Sequence, residues 1–296
     1  MPLSLYHFEI LRLIYEEGSV SAAADRMFVS QSAVSHQLKG MERELGMPLF
    51  ARKGRHIVPT EAGRLAYEKG LAILREAQDL TSSLQHLREG ERGSIVLAGS
   101  VTPGTYWLPG VVSRFLKGSP MASVRLQVFT AVELKQEIAN GTLDFGVTPI
   151  PLEGDALLRE AIRSEDIVLF AAPDCREEML PRSLAEVAEK PFICAPKETL
   201  GRQRFDQILA AHGIVRKRVI MEIGHPEGVK QAVRAGLGLG LTYRFVVAEE
   251  LRSGRLREIS LPEWQLKGEL YFVWRKNKVF SPIQNRFIQL VKEYES

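Results

Sequence analysis

Gln31, Ser32, Ser35, His36 and Lys39 recur at helical spacing, and each carries a short or flexible hydrogen-bonding group. Groups of this kind can pair with base edges in a DNA major groove, which displays a distinct donor and acceptor pattern for each base pair. Between them Val34, Leu38, Met41 and Leu45 fall at steps of four, three and four, an apolar stripe that must face a core. One helix with these two faces can therefore hold itself to a protein and offer its polar first turns to a duplex.

The neighbouring elements have the composition to position it. Ser30 is a good N-cap, since its hydroxyl can accept from amides two or three residues on, and Gly46 suits the left-handed residue that closes a helix. A shorter helix opens near Ser21, turns Ala23, Ala24 and Met27 inward and stops at Phe28-Val29. Residues 3 to 17 form an opening helix, with Phe8, Leu11 and Tyr15 on one side and Gly18 closing it. After the polar helix, Leu49 and Phe50 can anchor a two-stranded wing, with Arg52, Lys53, Arg55 and His56 at or near its tip. Between Gln31 and Val58 the cations Lys39, Arg43, Arg52, Lys53 and Arg55 outweigh Glu42 and Glu44. That local excess suits phosphate contacts, which supply affinity without sequence information. Either feature alone would suit solvated surface; in this order they specify a winged helix-turn-helix.

Residues 3 to 64 resemble the N-terminal domain of LysR-type transcriptional regulators. The likeness is carried by Ser21-Ala22-Ala23-Ala24, by Val29-Ser30-Gln31-Ser32-Ala33-Val34-Ser35, by Glu42-Arg43-Glu44-Leu45-Gly46, by Leu49-Phe50-Ala51-Arg52 and by Thr60-Glu61-Ala62-Gly63. It implies that Gln31, Ser32, Ser35 and His36 face bases or nearby phosphates, and that Ser30, Arg52 and Thr60 lie close to the DNA backbone. His36 stands where family members often carry arginine, and an imidazole cannot make the bidentate contact to guanine of a guanidinium.

A long helix is expected from Thr60, a good N-cap after Pro59, to about Glu89. Gly63, Ala66, Gly70, Ile73, Ala77, Leu80, Leu84 and Leu87 alternate at steps of three and four, a heptad seam with Arg75, Glu76 and Asp79 off it. Its small first half would let another helix approach closely, and its bulky second half would supply burial. A helix packed on its own domain would show a similar stripe. The family resemblance implies that this helix pairs two subunits, as two-fold DNA sites require.

Glu89-Gly90-Glu91-Arg92-Gly93 is the expected boundary, giving residues 1–59 as the DNA-binding domain and 60–89 as the linker helix. Beyond it short apolar strands alternate with helices, the pattern of an α/β sheet. Residues 90–163 and 268–296 are expected to form one lobe and 164–267 a second, with the chain crossing near Arg163-Ser164 and returning near Gln265 to Gly268. The layout resembles the two-lobed, periplasmic-binding-protein-like effector domain of the same family. Asp144-Phe145-Gly146-Val147 and Gly236-Leu237-Gly238-Leu239 match recurrent family patterns, whereas Tyr243 stands where proline is common.

Small molecules bind such sheets beyond the carboxyl ends of strands, near helix N-termini whose amides favour anions. The first strand ends in Ser100-Val101-Thr102-Pro103-Gly104-Thr105 before a helix, where two hydroxyls and free amides could receive a carboxylate, phosphate or sulfate. The resemblance adds Thr130, Thr148, Thr199 and His225, at later strand ends, to an effector cleft. Any one Ser or Thr in such a turn is more often a helix cap, and only the convergence of several favours a pocket.

The whole composition narrows the remaining classes. The 296 residues are 45% hydrophobic and 25% charged, ordinary for a chain of two or three folded domains. The net charge of +3 is too mild to argue nucleic-acid binding on its own. Two cysteines suit a reducing cytoplasm, and no signal peptide, run of about 18 apolar residues, metal-ligand spacing or catalytic constellation is visible. The expectation is therefore a cytoplasmic regulator, without catalytic residues, metal or cofactor. Its partners would be double-stranded DNA, a small anionic effector, RNA polymerase and further copies of itself in a homodimer or homotetramer. Rival readings are a solute-binding module dimerised by its N-terminal helices, or an enzyme on the two-lobed fold.

Overall fold

Ser4 and His7 start the chain's first element by bonding each other's backbone amides, so that α1 (Leu5–Glu17) begins with both orphan donors satisfied. The structure is a computed structural model and describes residues 3–53, 56–89 and 93–294. The chain divides into two units, Met1–Arg88 and Glu89–Ser296.

In the first unit α2 (Val20–Arg26) and α3 (Gln31–Leu45) follow α1, capped by Ser19 and Ser30. Ile10, Leu11, Leu13 and Ile14 of α1, Ala23 and Ala24 of α2, and Val34, Leu38 and Met41 of α3 form one buried core with Leu49. Leu45 departs from the expected stripe: it is 37% exposed, because the last turn of α3 runs past the core before Gly46 closes it at φ 71°. Strands β1 (Phe50–Lys53) and β2 (His56–Pro59) pair antiparallel to make the wing. The long helix α4 (Glu61–Glu89) then starts on Thr60, whose hydroxyl accepts from the Gly63 amide at 3.0 Å.

The small half of the α4 seam admits close neighbours from its own chain. A Cβ at Gly63 would lie 1.9 Å from the Leu49 carbonyl oxygen, and one at Gly70 would lie 2.7 Å from the Phe8 ring. Tyr67 stacks on Tyr15 with ring centroids 3.9 Å apart. These small residues let α4 lie close against the chain's own wing base and α1. Further along, Ile73, Leu80 and Leu84 are exposed.

In the second unit β3 (Ser94–Ser100), β4 (Ser123–Phe129) and β5 (Phe145–Thr148) are parallel, with β3 central. Helices α5 (Val101–Tyr106), α6 (Leu108–Gly118) and α7 (Ala131–Asn140) connect them. Strand β6 (Leu157–Ala171) is a single 15-residue strand. Its first part pairs antiparallel with β11 (Lys267–Arg275), and from Ile167 onward it pairs with β9 (Gly240–Tyr243) and β10 (Arg257–Ile259). Two adjacent strands therefore carry the chain between lobes, switching partners at Asp166–Ile167. The second lobe adds α8 (Leu184–Val187), β7 (Pro191–Cys194), α9 (Leu200–Ala211), β8 (Arg218–Glu222), α10 (Pro226–Arg234) and α11 (Arg244–Arg252). Helix α12 (Pro282–Glu293) returns to the first lobe, where Phe287 packs on Phe145 and Phe115. Each lobe has its own apolar core, and Phe245 packs against both.

Candidate functional site

Helix α3 presents its two faces as its spacing requires. Val34, Leu38 and Met41 are buried, while Gln31, Ser32, His36 and Lys39 are exposed and Ser35 is half-buried. The Ser30 hydroxyl accepts from the Ala33 amide at 3.2 Å and lies 2.9 Å from that of Ser32, so the first turn shows the solvent a cluster of hydroxyl groups. His36, Lys39 and Arg43 line an open groove of about 720 Å³ that Met47 and Pro48 complete.

Two contacts that sequence reasoning missed fix this helix. The Glu42 carboxylate accepts from the Leu49 amide at 2.8 Å and from the Phe50 amide at 3.3 Å, tying α3 to the base of the wing. His7, buried in α1, lies 3.0 Å from the Gln37 side chain through Nε2. The sequence offered only an acidic residue on a polar face and a histidine in an apolar helix, and neither spacing marks a long-range tie. Thr60 donates its hydroxyl to the Pro48 carbonyl at 2.8 Å while capping α4, so that group is committed internally. Arg55 lies outside the described residues, as do the side chains of Arg52 and Lys53; the backbones of Arg52 and Lys53 pair with Ile57 and His56 in the wing.

In the turn before α3, Phe28 takes φ 56° and is 96% exposed. A side chain with a Cβ is strained there, and an aromatic residue also gains nothing from burial.

The residues expected at the effector cleft fall into two groups. Thr130, Thr199 and His225 are helix caps: they accept from the amides of Glu133, Arg202 and Glu227 at 3.2, 3.3 and 3.2 Å. Thr199 also donates to the Pro196 carbonyl at 2.8 Å, and His225 is exposed. Ser100 precedes α5 without capping it through its side chain, and is buried. Thr102 is half-buried in the first turn of α5. Thr148 is fully buried at the end of β5, where it accepts from the Ile150 amide at 3.1 Å. Ser100, Thr102 and Thr148 thus stand at the carboxyl ends of adjacent strands β3 and β5 of the first lobe. Burial pushes both the Cys175 and Cys194 thiols up, the opposite of a reactive thiolate.

Among the described residues no group of three or more His, Cys, Asp or Glu side chains could hold a metal ion. No helix among them is long and apolar enough to cross a membrane.

A winged helix-turn-helix joined to a two-lobed α/β domain defines a class of protein, the DNA-binding regulator with a ligand-binding domain. Residues 5–64 match the model of the bacterial regulatory helix-turn-helix proteins of the lysR family, and residues 88–296 match that of the LysR substrate binding domain. The chain is 30% identical to the HTH-type transcriptional regulator YeiE of Escherichia coli K12, with 97% of each chain covered. It is also 30% identical to a probable RuBisCO transcriptional regulator of Cyanidioschyzon merolae, over 98% of this chain and 97% of that one. Among solved structures, full-length CbnR complexed with its target DNA superposes with a TM-score of 0.71 at 22% identity, covering 98% of this chain and 99% of that one. The protein belongs to the LysR family of DNA-binding transcriptional regulators, with an effector-binding domain.

Proposed function

We propose that this regulator binds operator DNA as a dimer or a dimer of dimers, and changes its grip when a small anionic metabolite binds between the lobes of residues 93–294. In this reading Gln31, Ser32, Ser35 and His36 reach base edges, while Ser30, Lys39, Arg52, Lys53, Arg55 and Thr60 lie along the phosphates. The exposed Ile73, Leu80 and Leu84 on α4 supply the apolar seam that joins subunits. Ser100, Thr102 and Thr148 receive the effector, with Thr130, Thr199 and His225 at the mouths of the neighbouring helices. The protein works in the cytoplasm without metal or catalysis, and RNA polymerase is a further partner at the promoter.

The observation that carries this reading is the exposed polar face of α3 set over a buried stripe of the same helix. Anisotropy titration of the full chain against a duplex from beside its own gene tests it. The reading requires a specific complex whose affinity falls steeply with salt, with a log–log slope of about −0.9 per phosphate neutralised. Binding no tighter than to a scrambled duplex at every salt concentration would contradict it.

A further inference from the structure

Phe28, in the turn between α2 and α3, stands where the chain elsewhere uses glycine. Its amide donates to the Asp25 carbonyl at 3.2 Å, and the Val29 amide donates to the Ala24 carbonyl at 3.1 Å, the paired bonds that close a helix through a left-handed residue. Gly18 and Gly46 fill the left-handed position after α1 and α3, at φ 61° and 71°. Phe28 fills it after α2 at φ 56°, and among the described residues it alone has a positive φ without being glycine. A Cβ makes that region costly, most of all under a bulky side chain.

Nothing within the chain offsets the strain, because the ring is 96% exposed. Asparagine or glycine would close α2 with less strain and without an aromatic ring in water. Strain of this kind is a mark of positions held for function rather than for stability.

The place of the ring indicates what covers it. Residues 28–33 are exposed without a break, from Phe28 through the Ser30 cap to the Gln31 and Ser32 side chains in the first turn of α3. In a helix-turn-helix the recognition helix puts its N-terminal residues into the major groove while the preceding helix crosses the backbone. The turn between them therefore passes over the strand that borders the groove. Arg26, the nearest cation in sequence, is committed to Glu17 at 2.7 Å, which leaves this turn an apolar contact to offer rather than an ionic one. Between its phosphates that strand presents the C–H faces of its sugars, which suit a flat apolar ring.

We propose that Phe28 packs its ring on a deoxyribose of the strand bordering the groove, and so helps to seat α3. The proposal rests on α3 being the reading element and adds a contact outside that helix. A sugar carries no sequence information and a phenyl ring carries no charge. Removing the ring should therefore weaken operator and unrelated DNA alike and leave the salt dependence as it was.

Anisotropy titrations of the full chain over a salt series, on the duplex from beside its own gene and on a scrambled duplex, test this together with thermal melts of the same samples. Phe28→Asn should bind both duplexes about threefold to thirtyfold more weakly, with an unchanged log–log salt slope. It should also melt about 2–6 °C above wild type, because the strain is relieved. Phe28→Tyr keeps the ring and should bind and melt as wild type does. Wild-type affinity in Phe28→Asn would overturn the proposal and leave the ring to a protein partner. Loss on the gene-adjacent duplex alone would make Phe28 a base contact, and a shallower salt slope would make the lost contact a phosphate; either overturns the sugar assignment. A lower melting midpoint in Phe28→Asn would make its weaker binding a folding effect and overturn it as well. Gln31→Ala in the same titrations separates the two readings. If it loses preference for the gene-adjacent duplex while Phe28→Asn binds as wild type does, only the Phe28 contact falls; equal losses on both duplexes in Gln31→Ala remove the α3 reading and the basis of this one with it.

Discussion

Tyr106 donates its hydroxyl to Glu227 Oε2 at 3.2 Å, and the Lys230 ammonium lies 4.9 Å from the centre of the same ring. Tyr106 belongs to α5 of the first lobe, while Glu227 and Lys230 belong to α10 of the second. One side chain thus links the lobes at a point away from the paired strands. The receiving side is preorganised: buried Lys230 bonds Glu250 at 2.6 Å, Glu227 at 2.9 Å and the Val246 carbonyl at 3.3 Å. Burial, followed by the charge of Glu227, pushes the Tyr106 hydroxyl well above its ordinary pKa, so it stays a donor.

Tyr106→Phe removes this donor while keeping the ring under Lys230. It should cost about 1 kcal/mol, the net worth of one hydrogen bond, and lower Tm by about 2–4 °C in a domain of this size. A calorimetric scan beside wild type checks it; an unchanged midpoint would mean the tie contributes nothing.

The same tie should depend on pH. Burial alone would raise the Glu227 carboxyl, but hydrogen bonds from Lys230 and Gln231, the Lys230 charge and the Tyr106 hydroxyl hold it below the ordinary range. A carboxyl depressed in the folded state contributes stability above its unfolded pKa of about 4.3 and loses it as pH falls through the lower folded value. The Tm difference between wild type and Glu227→Gln should therefore be steady from neutral pH down to that range and shrink below it. A difference that grew on acidification would have the wrong sign.

Gly63→Ala would place a Cβ against the Leu49 carbonyl, which is backbone and cannot swing away. The wing base and α4 must separate, at a cost of about 3 kcal/mol. Urea unfolding of the variant should show a lower midpoint with the same slope, and wild-type stability would contradict the close approach.

Much of this was legible in the sequence where local periodicity decides the outcome. The stripe Val34, Leu38, Met41 and the caps Ser30 and Gly46 fix α3 from neighbours within a few residues. The sequence was silent or ambiguous where a tertiary partner decides. Gly63 and Gly70 have a spacing that shows a close approach without naming its partner, here Leu49 and Phe8 of the same chain. Strand β6 hid because its first part, exposed beside β11, is polar while its end is a buried apolar run. The hydroxyls of Thr130 and Thr199 read alike with that of Thr102 in sequence, and the structure shows the first two as helix caps.

Leu80→Asp with Leu84→Asp alters the bulky part of α4 at positions 61% and 57% exposed. Monomer stability should change by no more than about 0.5 kcal/mol, as for other surface substitutions. Sedimentation velocity should show the oligomer falling to monomer, with loss of tight operator binding. An intact oligomer would place the subunit contact elsewhere.

Comparing Gln31→Ala with wild type on an operator duplex and on a scrambled duplex of equal length, at one fixed salt concentration, tests the role of α3 most directly. If Gln31 reads a base edge, specific affinity should fall by about tenfold to a hundredfold while the scrambled duplex is bound as before. Equal losses on both duplexes would mean that Gln31 touches only the phosphates, and α3 would not be the reading element described above.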